Sequence, residues 1–133
     1  MNSLDQTLSL SASGMQAQAT RLRHVSENIA NADTPGYRRK TVPFEPQALP
    51  GDRFGQASGV RTGDVLLDRR DLTRIYDPGN ILADDSGYYL GSNVDIMVEI
   101  ADAREAQRSY EANLRMFDQA RQMSQSLIGL LRR

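Results

Sequence analysis

Cysteine is absent from the 133 residues, and histidine occurs once, as His24. Without a thiol there is no disulfide framework, no thiolate zinc site and no cysteine nucleophile. A lone histidine leaves a metal only carboxylates as co-ligands, and no nucleophile elbow surrounds it, so His24 reads as an ordinary helix residue. A basic excess is missing as well. Net charge is −1, with 5 basic against 3 acidic residues in 1–40, 5 against 8 in 41–92, and 6 against 6 in 93–133. That balance argues against nucleic acid, whose phosphates need a cationic face. No apolar stretch approaches membrane-spanning length, and Asp5 and Gln6 stand where a signal peptide would be basic and then apolar. No general secretory route is therefore expected.

Residues 93–133 lack proline and hold one glycine, Gly129. Ile96, Ile100, Ala103, Ala106, Tyr110, Leu114, Phe117, Ala120, Leu127 and Leu131 recur at three, four or seven residues, one stripe of a long helix. Ser92 or Asn93 is the expected cap, Asp95 and Glu99 suit the positive end of the dipole, and Arg132 and Arg133 the negative end. A second helix is expected over 3–32, opened by a capping box of Ser3 and Gln6. Its Leu8, Met15, Leu22 and Ile29 are spaced by seven, with Leu4, Ala12, Ala19 and Val25 beside them, a narrow heptad seam rich in alanine.

Between the helices the punctuation changes. Residues 37–91 contain seven of the ten glycines and four of the five prolines. Pro35 ends the first helix, and Pro35-Gly36 suits the centre of a type II turn. Short strands are expected over 38–44, 60–68, 72–76 and 88–90, with turns at Pro50-Gly51, Pro78-Gly79-Asn80 and Asp85-Ser86-Gly87 and a flexible loop over 46–59. The fold class expected is mainly α with a small β insert: two long terminal helices packed as a coiled-coil-like hairpin around an irregular β-rich middle. Its parts are 1–36, 37–92 and 93–133. Such narrow seams bury too little to balance the ordering of two long helices, so neighbouring subunits are expected to complete them.

Other candidates for chemistry are weak. Gly51, Gly55, Gly59 and Gly63 repeat every four residues, but no Lys-Ser or Lys-Thr follows, so a mobile loop explains them better than a phosphate loop. Asp77, Asn80, Asp84 and Asp85 lack the spacing of a helix-loop-helix calcium site and suit turns. Arg38, Arg39 and Lys40 read as a solvated face or partner contacts. Glu111 with Arg115, Glu105 with Arg108, and Asp118 with Arg121 are expected to pair along the helix surface. No catalytic residue, metal site, cofactor or small-molecule substrate is expected.

The run Asn28-Ile29-Ala30-Asn31-Ala32-Asp33-Thr34-Pro35-Gly36-Tyr37-Arg38-Arg39 resembles the amino-terminal signature of the bacterial flagellar rod, hook and hook-associated proteins. Asp77, Pro78, Gly79 and Asn80, then Asn93 and Asp95, then Tyr110 and Asn113, look like that family's proximal-rod members. The resemblance implies a non-enzymatic building block of the basal-body rod, the drive shaft that crosses the periplasm. It implies export by the flagellar type III apparatus, and as partners the other rod subunits, copies of the same chain and the basal-body ring. Leu8, Met15, Leu22, Ile29, Ile100, Tyr110, Leu114, Phe117 and Leu127 would then pack helices within and between subunits. Another rod subunit of the same family, or a generic coiled-coil adaptor, remains the alternative.

Overall fold

The structure is a computed structural model that describes residues 3–55 and 58–132. Its order is α1 (Ser3–Ala30), β1 (Lys40–Thr41), β2 (Phe44–Ala48), β3 (Ser58–Thr62), β4 (Leu66–Leu67), β5 (Arg74–Tyr76), β6 (Tyr88–Leu90) and α2 (Ile96–Leu131). The two helices, 28 and 36 residues long, pack together as an antiparallel hairpin, and among the described residues the middle holds three two-stranded antiparallel sheets. At 1.5 Å per residue the helices run about 42 and about 54 Å.

The buried positions of the two helices are mostly small or polar. Ser11, Gly14, Ala17, Val25 and Asn28 of α1 are buried, as are Glu99, Ala106 and Ala120 of α2. A β-carbon on Gly14 would come 2.7 Å from the Asn113 carboxamide, so the absence of a side chain there sets how closely the helices approach. Asn28 meets Glu99, Arg21 meets Asp102 and Glu105, and Gly14 meets Asn113. With that register constant, Ser3 comes level with about Ser124. The last turns of α2 therefore overhang α1, and Leu127, Ile128, Leu130 and Leu131 are exposed there.

Several expectations change in detail. The cap of α2 is Asp95, whose Oδ1 accepts from the Met97 amide at 3.0 Å; Ser92 and Asn93 are engaged elsewhere. Helix α1 already includes Ser3, so Ser3 is not its cap, and the residues before it lie outside the described residues. Arg133 lies outside them too. Part of the expected 46–59 loop is strand: β2 and β3 pair from Phe44↔Thr62 to Ala48↔Ser58. Pro46 is tolerated because a two-stranded ribbon has free edges on both strands. Gly59 is buried, where a β-carbon would strike Ser13 Oγ and the Leu49 side chain, and the Val60 amide donates to Ser13 Oγ. Close approach of β3 to α1, rather than mobility, explains that glycine.

Candidate functional site

The motif residues of the first helix end converge where both helices meet the insert. Asn28 is fully buried, and its carboxamide pairs with a strand as a peptide group would. Nδ2 donates to the Lys40 carbonyl at 2.9 Å, and Oδ1 accepts from the Lys40 amide at 2.9 Å. Its remaining donor reaches Glu99 Oε2 at 3.2 Å, and its remaining lone pair takes the Tyr37 hydroxyl at 2.8 Å. Four partners satisfy the group completely. Burial raises the Tyr37 phenol above its usual range, with the Glu27 carboxylate adding to the effect.

The chain reaches Lys40 through a tight exit. The Asn31 side chain donates to the Glu27 carbonyl and accepts from the Thr34 hydroxyl. Gly36 has φ 76°, and the Tyr37 amide donates to the Thr34 carbonyl at 3.2 Å, which makes Thr34-Pro35-Gly36-Tyr37 the expected type II turn. The Gly36 amide then donates to the Gly91 carbonyl at 3.0 Å, and the Ser92 hydroxyl donates to the Ala32 carbonyl. Asn93 closes the other side: Oδ1 accepts from the Arg39 amide at 2.7 Å while Nδ2 donates to the Asp68 and Arg70 carbonyls.

Charge is balanced inside this node. Arg39 Nε pairs with fully buried Glu99, and its Nη2 meets Asp102 at 2.6 Å. Lys40 pairs with Glu27 at 2.5 Å, a contact that holds the Glu27 carboxyl below its ordinary range and the Lys40 ammonium above its own. Arg38 donates to the Asp68 and Arg70 carbonyls. The basic triplet is therefore an internal clamp, not a solvated face. Spacing does not reveal it because the acidic partners of Arg39, Glu99 and Asp102, lie about sixty residues away in the chain, and on its own helix Glu99 reads only as a partner of the dipole. Glu105 likewise turns to Arg21 across the seam, whereas Asp118 and Arg121 pair as expected at 3.6 Å.

The other motif residues lie apart. Asp77-Pro78-Gly79-Asn80 forms a turn closed by the Asn80 amide on the Asp77 carbonyl, at the far end of the β5–β6 hairpin. The side-chain oxygens of Asn80 and Asp84 accept from turn amides. Asn113 donates to the Ser109 carbonyl beside Gly14. Of the expected packing residues, Leu8, Met15, Leu22, Tyr110 and Phe117 are half-buried, and Ile29, Ile100, Leu114 and Leu127 are exposed. His24 is buried, with Nδ1 3.7 Å from Glu27 Oε2. Among the described residues no group of three or more acidic, histidine or cysteine side chains could hold a metal, and no helix is long and apolar enough to cross a membrane.

A buried node that joins two helix ends to an insert, with apolar residues left along the helix flanks, is the build of an assembly subunit. Family comparison agrees. Residues 8–38 match the family "Flagella basal body rod protein", and residues 85–130 match "Flagellar basal body rod FlgEFG protein C-terminal". The chain is 45% identical to the flagellar basal-body rod protein FlgC of Agrobacterium fabrum, over 99% of this chain and 98% of that one. It is 36% identical to FlgC of Escherichia coli O6:H1 and 35% identical to FlgC of Salmonella typhimurium, each over 86% of this chain and 87% of the relative. The chain belongs to the FlgC family of flagellar basal-body rod proteins. It is a structural subunit of that rod and not an enzyme.

Proposed function

We propose that this chain is a proximal-rod subunit that joins copies of itself and other rod proteins in the periplasm-spanning shaft that transmits torque. In this reading residues 1–36 and 93–133 form the axial core, and 37–92 selects which neighbours are met. Export through the flagellar type III apparatus and contact with the basal-body ring belong to the same proposal.

One observation carries it. The buried residues of the two helices are mostly small or polar, while their larger apolar residues stay half-buried or exposed. Leu8, Met15, Leu22, Ile29, Ile100, Tyr110, Leu114, Phe117 and Leu127 are assigned to helix packing, their uncovered surfaces to subunit contacts. Burying them on docking supplies free energy that the lone hairpin leaves unused. The buried node of Asn28, Tyr37 and Asn93 holds the insert at a fixed angle to the helices, so that assembly repeats one geometry.

The test is motility and rod assembly in cells carrying Leu22→Asp or Phe117→Asp. Each is expected to block the rod while expression continues, because a carboxylate would be desolvated at a subunit contact. Normal motility in both would remove these residues from the interface.

A further inference from the structure

The β5–β6 hairpin is exposed along its tip and held by its own hydrogen bonds. Both ends are pinned at the helix junction, where the Thr73 amide donates to the Ser92 carbonyl and the Gly91 amide to the Thr73 carbonyl. Tyr76 and Tyr88 meet as a tilted ring pair with centroids 5.1 Å apart, and the Arg74 guanidinium lies 4.4 Å over the Tyr88 ring. Three successive turns close the tip, at the amides of Asn80, Ala83 and Gly87. This rigid tip presents Ile81 at 100% exposure with Leu82 beside it. Residues 77–87 hold Asp77, Asp84 and Asp85 and no basic residue.

The opposite end of the molecule carries the complementary chemistry. The α2 overhang exposes Leu127, Leu130 and Leu131, the last at 86%, and residues 119–132 hold Arg121 and Arg132 with no acidic residue. We infer that the Ile81-Leu82 tip of one copy docks on the side of the α2 overhang of a second copy, with Asp85 facing Arg132. This inference rests on the reading of the chain as an assembling rod subunit and names one contact of that assembly.

The contact cannot form within one chain. Eleven residues separate Ser92 from Ile81 and reach about 40 Å when fully extended, whereas Leu131 lies about 53 Å along α2 from its start. Tip and overhang are different patches, so each copy offers one and receives the other. A head-to-tail contact of that kind propagates instead of closing into a pair. The negative end of the α2 dipole opposes an acidic tip, and Arg132 at the C-cap offsets it.

The chain has no cysteine, so introduced thiols report without background. Full-length Ile81→Cys protein is mixed with Leu131→Cys protein and mildly oxidised, and linked peptides are identified by mass spectrometry. A mixed 81–131 disulfide at least tenfold more abundant than either homodimer is expected. Adding Asp85→Lys to the first protein is expected to reduce it at least fivefold, and Arg132→Glu on the second to restore it. Asp85, unlike Asp84, makes no turn bond among the described residues, so its replacement leaves the loop intact. Predominant 81–81 disulfides, assembly by sedimentation without an 81–131 link, a chain that stays monomeric, or a link in cells to a different protein would each overturn the inference. Should Leu22→Asp and Phe117→Asp still abolish the rod, the rod reading would stand without this contact.

Discussion

The Asn28 carboxamide and the Glu99 carboxylate do at residue scale what a longer strand would do with backbone. Asn28 supplies Lys40 with one more peptide-like partner, and Glu99 holds the Arg39 guanidinium beneath both helices. A fully buried carboxylate survives only with its counter-charge and hydrogen bonds in place. Glu99→Ala strands Arg39 with Asp102 alone and is expected to lower the unfolding free energy by about 3 kcal/mol, measured by urea titration. Replacing both by leucine is expected to regain most of that loss, because the pair's desolvation cost goes with it. A loss below about 0.5 kcal/mol for Glu99→Ala, the size of an ordinary surface substitution, would mean that the node carries no tension between burial and charge.

At the scale of the element, the β5–β6 hairpin depends on one carboxylate. Asp84 Oδ1 accepts from the Ser86 hydroxyl at 2.7 Å, the Tyr88 amide at 3.0 Å and the Ser86 amide at 2.9 Å. These bonds, the Ser86 hydroxyl first, hold its carboxyl below the ordinary aspartate range, with the Arg74 charge a smaller aid. A lowered folded-state value means that the stabilisation is complete above the unfolded value of about 3.9 and disappears as pH falls through the folded one. The amide resonances of Ser86 and Tyr88 are thus expected to hold steady from neutral pH to about pH 5 and to shift together in stronger acid. In Asp84→Asn that common transition should vanish; the same transition in both proteins would assign it to another group. Gly87 adds a second dependence, since its φ of 88° favours glycine and a β-carbon there would come 2.8 Å from the Tyr76 ring.

For the whole molecule, the offset of the helices matters most. The apolar residues after Ser124 have no described α1 residue opposite them, so they add little to the fold of one chain. A chain ending at Ser124 is expected to keep the hairpin, with Tm within about 3 °C, because exposed positions contribute only tenths of a kcal/mol. The same truncation is expected to prevent assembly into the rod, scored by sedimentation of purified subunits and by motility. A fall in Tm beyond about 10 °C would show that the overhang folds back into its own subunit.

The sequence by itself determined the helix-insert-helix order, because heptad spacing, a proline-free stretch and a Pro-Gly turn are local signals with local causes. The family resemblance also marks Asn28, Thr34, Pro35, Gly36 and Asn93, but no local signal names the partners of the Asn28 side chain. Only the tertiary structure decided those partners. Asn28 finds Lys40 and Glu99, Asn93 finds Arg39, and Arg39 finds Glu99 and Asp102 across chain separations that no periodicity records. The same holds for the seam: spacing marks Leu8, Met15, Leu22 and Ile29, while its register is fixed by Gly14 against Asn113, Arg21 against Asp102 and Glu105, and Asn28 against Glu99. A hydrophobic stripe states which residues avoid water, while close approach is set by where side chains are small enough for two helices to touch.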